Sequence, residues 1–365
     1  MTASDSAARL ACSFVRVPGK VIVSGEHAVV YGTPALACAI QKYAFAKITS
    51  TDVSGVYFKV PEFGIDQHFS HLQLSQLAQK TKLRHQQFLN GTGLLSNVVA
   101  NPAHFFAAAI GASGLVDVLS NPHGLKIELS MDLVAGGGMG SSAALVAAML
   151  AAAFKHLGRP LTAAQLIAKT TQSEHWQHGR SSGIDPYVCV MGGLQSFQKG
   201  TGERQVLNQL RSCFLVTTGK PDSSTGECVE AVNQQNFPPS LWRQFASVQE
   251  NLLQCMLSNT LASDASSSLG SEGDNETHMV NAIAANHRLL QRLGVVPNRV
   301  AAFIANIETR GGGAKICGAG SIVGDQAGLV LVVGLAHMEV QEICLNYGYA
   351  VEEMLPDLDG VFYCD

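Results

Sequence analysis

The chain is short of charge. Asp, Glu, Lys and Arg make up 14% of its 365 residues against 47% hydrophobic residues, and the net charge is −4. That balance excludes a disordered chain, which needs more charge and less apolar content. A slight acidic excess with no block of Lys or Arg excludes the electrostatic footprint of a nucleic-acid binder. Nine cysteines occur but no Cys-x-x-Cys pair. They read as buried thiols in a reducing cytoplasm rather than a disulfide framework or a zinc site. The start is polar to Arg9, and the apolar run after it is broken by Arg16, so it does not make a signal peptide.

Common nucleotide and hydrolase signatures are also missing. There is no Gly-x4-Gly-Lys-Ser/Thr, hence no P-loop. The glycines at 136–140 follow Gly-x-Gly-x-Gly rather than Gly-x-Gly-x-x-Gly, with no acidic residue about 20 positions on to hold a ribose. This disfavours a dinucleotide-dependent oxidoreductase. No Gly-x-Ser-x-Gly elbow surrounds Ser141 or Ser142.

What is present centres on the uncharged run from Leu133 to Phe154. It opens Leu-Val-Ala-Gly-Gly-Gly-Met-Gly-Ser-Ser-Ala-Ala and continues Ala-rich. Its length raises a membrane span, but its glycines, serines and alanines fit a buried helix of a soluble protein better. The alternation from Leu125 to Met131 predicts a strand ahead of it. Gly136, Gly137, Gly138 and Gly140 therefore join a strand to a helix whose first turn holds Ser141 and Ser142. Glycines let backbone N–H groups approach a ligand closely, and a helix N-terminus adds donors and partial positive charge. The stretch predicts an anion cradle.

The length allows two domains, and a boundary near residue 205 divides the chain into 12–205 and 206–365. Val15–Val17 and Val21–Val23 read as strands flanking a Pro18-Gly19-Lys20 turn, and a second turn runs Ser24 to His27. Ala35–Ile40 and Phe45–Ser50 read as separate strand or buried-helix pieces. Helices are expected at Leu72–Leu89, at Asn97–Ile110 with Pro102 in the first turn, at Thr162–Gly179 and at Ile184–Met191. Strands are expected at Leu194–Gln198, Phe214–Thr218 and Leu329–Val333. Asn259–Thr277, rich in Ser, Gly, Asp and Asn, reads as a loop ahead of a Met279–Leu293 helix.

Phosphoryl transfer needs a cradle, a metal site, a group acting on the acceptor hydroxyl and a nearby cation. Ser142 and Glu174 offer the hard oxygens that Mg²⁺ takes; equally, Ser142 caps a helix and Glu174 solvates one. Asp185 before Pro186 reads as an N-cap with Pro at N1, a position that also keeps a carboxylate ionised for use as a base. Lys20, after Pro-Gly, reads as an exposed turn lysine. Glu174, His175 and His178 lack the His-Glu-x-x-His pattern of a zinc site.

The combination is more specific than its parts. Val17 to Gly32, reading Val-Pro-Gly-Lys-Val-Ile-Val-Ser-Gly-Glu-His-Ala-Val-Val-Tyr-Gly, resembles the first motif of the GHMP kinases, in the form seen in their mevalonate kinase branch. Gly136 to Ala144 resembles the second motif, with Val134, Gly137 and Met139 where Pro, Ala and Leu are usual. Glu174 and Asp185, eleven positions apart, are similar to the family's acid pair. Lys315 to Gly320 resembles the third motif, and Asn286 to Gly294 the helix before it. These stretches follow the family's order between residues 15 and 334.

The resemblance implies an α+β, two-domain GHMP kinase fold, with an N-terminal ribosomal-protein-S5-like domain and a C-terminal ferredoxin-like α/β plait. It implies ATP and Mg²⁺ as cofactors and phosphorylation of the primary hydroxyl of mevalonate, an isoprenoid-precursor step. Asp185 becomes the base and Lys20 the cation on the acceptor hydroxyl. Gly136, Gly137, Gly138, Met139, Gly140, Ser141 and Ser142 bind the nucleotide, and Ser142 and Glu174 hold Mg²⁺. Lys20, Glu26, His27, Thr225, Gly318 and Ala319 face the substrate. Expected partners are the small-molecule substrate and, by resemblance, a second copy in a homodimer, with no nucleic acid and no membrane. A kinase of the same fold for phosphomevalonate or a sugar, or a non-catalytic ATP sensor, stays open. The third motif continues Ser321-Ile322-Val323-Gly324 where glycines are usual, so this loop is expected to take another shape.

Overall fold

A computed structural model describes residues 13–119, 123–198, 201–205, 213–261 and 272–364. The polar start, the boundary at 206 and most of the expected 259–277 loop lie outside those residues. The chain opens with β1 (Ser13–Ser24), β2 (Ala35–Thr51), β3 (Gly55–Val60) and β4 (Ile65–Phe69), then α1 (His71–Leu89), α2 (Pro102–Ala112) and β5 (Gly124–Met131). Next come α3 (Ser141–His156), α4 (Ala163–His178), α5 (Ile184–Met191), β6 (Leu194–Gln198) and β7 (Thr201–Gln205). The second half runs β8 (Cys213–Thr217), α6 (Thr225–Gln234), α7 (Pro239–Leu261), α8 (Glu272–Leu293), α9 (Asn298–Thr309), β9 (Gly313–Cys317), β10 (Leu329–Val333), α10 (His337–Tyr347), β11 (Ala350–Glu353) and β12 (Phe362–Cys364).

Two sheets result. The first has eight strands, ordered β12-β1-β2-β5-β3-β4, with β6 on the other half of β2 and β7 beside β6. The second has four antiparallel strands ordered β11-β8-β10-β9, the order of the expected plait. α3 packs on β1 and β2, and every residue from Ala143 to Phe154 is buried. Alanine suits it: the helix approaches its neighbours closely, and alanine has the best intrinsic helix propensity. Among the described residues no helix is long and apolar enough to cross a membrane.

Several local expectations are corrected. Pro18-Gly19-Lys20 is not a turn; β1 runs through it, with a register shift against β2 between Pro18 and Gly19. A side chain at Gly19 would strike the Met139 main-chain carbonyl at 2.8 Å as well as Leu133 Cδ2 at 2.3 Å, so the strand can pass there only without one. The pieces 35–40 and 45–50 are one strand, because the first half of β2 pairs with β6 and the second with β5. Asp185 is not an N-cap. Gly183, left-handed at φ 83°, caps α5 and leaves Asp185 inside the first turn. The polar 259–277 stretch is helical at both ends, to Leu261 and from Glu272, since a cooperative helix carries polar residues at its ends.

Candidate active site

Lys20 lies mid-strand in β1, where alternation turns its side chain inward; it is 2% exposed. Its ammonium meets Asp185 Oδ1 at 3.1 Å and donates to the Gly138 carbonyl at 3.0 Å. Its own N–H donates to the Met139 carbonyl at 2.8 Å. One residue thus ties β1, the glycine loop and the start of α5 together. A buried lysine requires such partners, so the exposed-turn reading of Lys20 does not hold.

The loop from Gly136 to Gly140 passes close to everything around it. A side chain at Gly140 would come within 3.1 Å of Lys20 Cε and 3.5 Å of Asp185 Oδ2, and one at Gly138 within 2.3 Å of the Cys317 carbonyl. The Gly137 carbonyl accepts from Leu329 N–H at 3.0 Å. The loop is therefore wedged between the two sheets. Met139 departs from its expected role: its side chain is 1% exposed, in the core with Leu133, so only its main chain borders the loop.

Ser141 and Ser142 start α3, whose N-cap is Gly140 with no side-chain cap bond. Ser142 does not cap. Its hydroxyl contacts the Glu174 carboxylate and lies 2.9 Å from Gln177 Oε1. Glu174 does not solvate α4 either, being 2% exposed. Burial alone would raise its carboxyl, but His178, the Ser142 hydroxyl and the Lys20 charge outweigh that and hold it below the usual carboxylate value. Burial pushes His178 down, yet Glu174, 3.5 Å away, raises it above an ordinary histidine. Two hard oxygens, Ser142 Oγ and the Glu174 carboxylate, converge beside a helix N-terminus. That donor set fits a magnesium ion that keeps several waters. Among the described residues no cluster of three or more His, Cys, Asp or Glu could hold a metal.

Two cavities adjoin the loop. One, about 420 Å³, is mostly apolar, with Leu95, Val99, Phe105, Phe106 and Trp176 on its walls and Gly136, Ser141 and Ser142 at its rim. The other, about 330 Å³, is the more polar of the two and is lined by Gly136, Gly138, His178, Thr225 and Ala319, among others. Gly136, Gln177, Ser224 and Glu227 border both. Thr225, the first residue of α6, is exposed to the polar cavity. Gly318 abuts Gly138, and the Ala319 carbonyl sits 3.0 Å from His27 Nε2. Burial lowers the His27 imidazole to about 4.

Glu26 is not brought to either cavity. Its carboxylate is fully buried against Lys315 and Asn286. In the third loop Gly318, Gly320 and Gly324 have positive φ, whereas Ser321 and Ile322 do not. Ser321 Oγ accepts from Ser223 N–H at 3.1 Å, and Ile322 N–H donates to Ser223 Oγ at 3.2 Å. Gln177, His178 and Ser223 were not singled out as site residues. Gln177 and Ser223 carry no sequence signal beyond their neighbours.

The two sheets, the loop wedged between them and the Lys20–Asp185 pair are the arrangement expected of a small-molecule kinase. Residues 97–193 match the GHMP kinases N terminal domain. A mevalonate kinase of Thermococcus onnurineus is 30% identical over 314 residues, covering 83% of this chain and 85% of that one. The chain belongs to the mevalonate kinase family of the GHMP kinases. The fold agrees. The crystal structure of the Methanococcus jannaschii mevalonate kinase has a TM-score of 0.70 at 17% identity, covering 94% of this chain and 98% of that one. That of the L. major mevalonate kinase in complex with R-mevalonate has 0.63 at 19%, covering 94% and 95%.

Proposed function

We propose that this chain transfers the γ-phosphoryl group of ATP to the primary C5 hydroxyl of mevalonate, giving 5-phosphomevalonate. The observation that carries the reading is the meeting of Lys20, Asp185 and the glycine loop beside two adjoining cavities. The apolar cavity takes base and ribose, and Gly136 to Ser142 with the N-terminus of α3 takes the phosphates. The polar cavity takes the acceptor, with Thr225 and Ala319 on its walls and His27 and Gly318 behind them, His27 against the Ala319 carbonyl and Gly318 against Gly138. Glu26 stands one layer behind.

Asp185 accepts the proton of the acceptor hydroxyl as that oxygen bonds to the γ-phosphorus and the bridging P–O bond to the β-phosphate breaks. Lys20 orients the Asp185 carboxylate through their ion pair and offers positive charge to the acceptor oxygen. Ser142 and Glu174 would hold Mg²⁺, which when bound neutralises charge on the β- and γ-phosphates. Positioning and fixed charge supply most of the rate gain in such a transfer. In this reading residues 12–205 carry the nucleotide and 206–365 close over the acceptor. A cytoplasmic location and a homodimer complete it; eight cysteines outside disulfides among the described residues support the first, and family resemblance alone the second.

A coupled assay with ATP and mevalonate, phosphomevalonate or galactose tests the proposal. Turnover on mevalonate is expected. Turnover only on another alcohol replaces the acceptor, and ATP binding without turnover on any makes the chain a sensor.

A further inference from the structure

Lys315 occupies the middle of β9, a strand buried at all five positions, and is 0% exposed. Lysine tolerates such a place only when fully paired. Its ammonium contacts the Glu26 carboxylate and donates to the carbonyls of Ile22 at 3.0 Å and Ile316 at 2.8 Å. Three donors meet three acceptors. The other Glu26 oxygen accepts from Asn286 Nδ2 at 3.1 Å, and Asn286 Oδ1 accepts from Ser24 Oγ at 3.0 Å. The network joins the end of β1 in the first sheet to β9 in the second and to α8 by direct contacts.

A buried ion pair adds little stability over apolar residues of the same volume, so stability alone does not account for this one. What it adjoins is more telling. His27 follows Glu26 directly and has φ 57°, one of two described residues other than glycine in the left-handed region. That conformation is costly and persists only where the surroundings impose it. A carbonyl oxygen only accepts, so the 3.0 Å contact with Ala319 puts the proton on His27 Nε2. Ala319 stands two residues beyond β9 and lines the polar cavity. Glu26 and Lys315 thus anchor, from two sheets, the two loops that meet at His27 and Ala319.

We propose that Lys315 is a positioning residue for the transfer: through Glu26 it holds His27 in its left-handed turn against the Ala319 carbonyl, and so sets the acceptor wall where the first and third loops meet. The inference rests on the polar cavity being the acceptor site. Lys315→Met alone strands a buried carboxylate, so the informative variant is Glu26→Gln/Lys315→Met, which removes both charges. Glu26→Asp is its partner, keeping the pair but withdrawing the carboxylate by one methylene.

In the full chain the double variant is expected to melt cooperatively and to raise the acceptor KM about tenfold or more, with the ATP KM within about twofold. Glu26→Asp is expected to raise the acceptor KM about threefold. On ¹⁵N-labelled protein, the hydrogen-bonded ring N–H of His27 is expected to give a protected resonance that is lost in the double variant and weakened in Glu26→Asp. Wild-type acceptor KM and an unchanged His27 resonance in a folded variant overturn the proposal. Should the double variant not fold, Glu26→Asp decides by the same two readouts. Should the wild type not turn over mevalonate, the acceptor reading has failed, and the His27 resonance alone decides on Lys315.

Discussion

Lys20 Nζ stands 3.1 Å from Asp185 Oδ1 and 3.0 Å from the Gly138 carbonyl, so a single ammonium is shared by a carboxylate and the glycine loop. The two partners can be separated by substitution. Asp185→Ala leaves the loop contact in place. It is expected to bind ATP within a few-fold of the wild type by calorimetry and to lose about a thousandfold in turnover. Near-normal turnover removes Asp185 from the role of base.

Glu174 bears on magnesium. Glu174→Gln keeps the size and the contact with Ser142 but removes the charge, so the Mg²⁺ concentration for half-maximal rate is expected to rise about tenfold. Ser142→Ala is expected to move it in the same direction. Initial rates against Mg²⁺ at fixed ATP check both, and an unmoved midpoint means that these oxygens are not ligands.

Two glycines with the same backbone sign separate strain from contact. Gly158 has φ 67° and nothing within 4 Å of an added Cβ; Gly138 has φ 93° and the Cys317 carbonyl at 2.3 Å. Gly158→Ala is expected to cost about 1 kcal/mol, the price of the conformation. Gly138→Ala is expected to cost roughly 3 kcal/mol or more, because it also forces the third loop away. Urea unfolding measures the difference, and equal losses mean that the loops yield without cost.

Acid should weaken the fold through its buried imidazoles. Burial lowers His27 to about 4; burial, then the Arg288 and Lys315 charges, do the same to His287. Between pH 6.5 and about 4 the unfolded chain binds protons that the folded one refuses, so stability rises with pH and falls toward acid. Each histidine accounts for roughly 3 kcal/mol across that window. Denaturant midpoints at fixed pH values check this, and His287→Gln is expected to remove about half of the slope.

Much of the site was legible because its chemistry sits in contiguous stretches. The loop at 136–142, the strand before it and the helix after it follow from glycine placement and periodicity, and α5 and β10 have the expected bounds. Lys20 was misplaced, because Pro-Gly ahead of a lysine reads as a turn while the strand pairing that overrides it comes from residues 39 and 43. Glu26 reaches the substrate list through the resemblance alone; its partners, Lys315 and Asn286, are distant in sequence, and local spacing does not announce a buried ion pair. Gln177 matters only through the hydroxyl it meets on another helix. Such contacts belong to tertiary structure.

The pairing of β12 with the outer edge of β1, where Arg16 is stacked between the rings of Tyr43 and Phe362, constrains how the protein can be made and divided. During synthesis β1 to β7 leave the ribosome with that edge bare, and it is closed only after the whole second sheet has emerged. A piece cut at residue 205 keeps the glycine loop but exposes an open β1 edge, a template for pairing with other chains. The two halves are separate in their sheets and yet are sewn together at this seam.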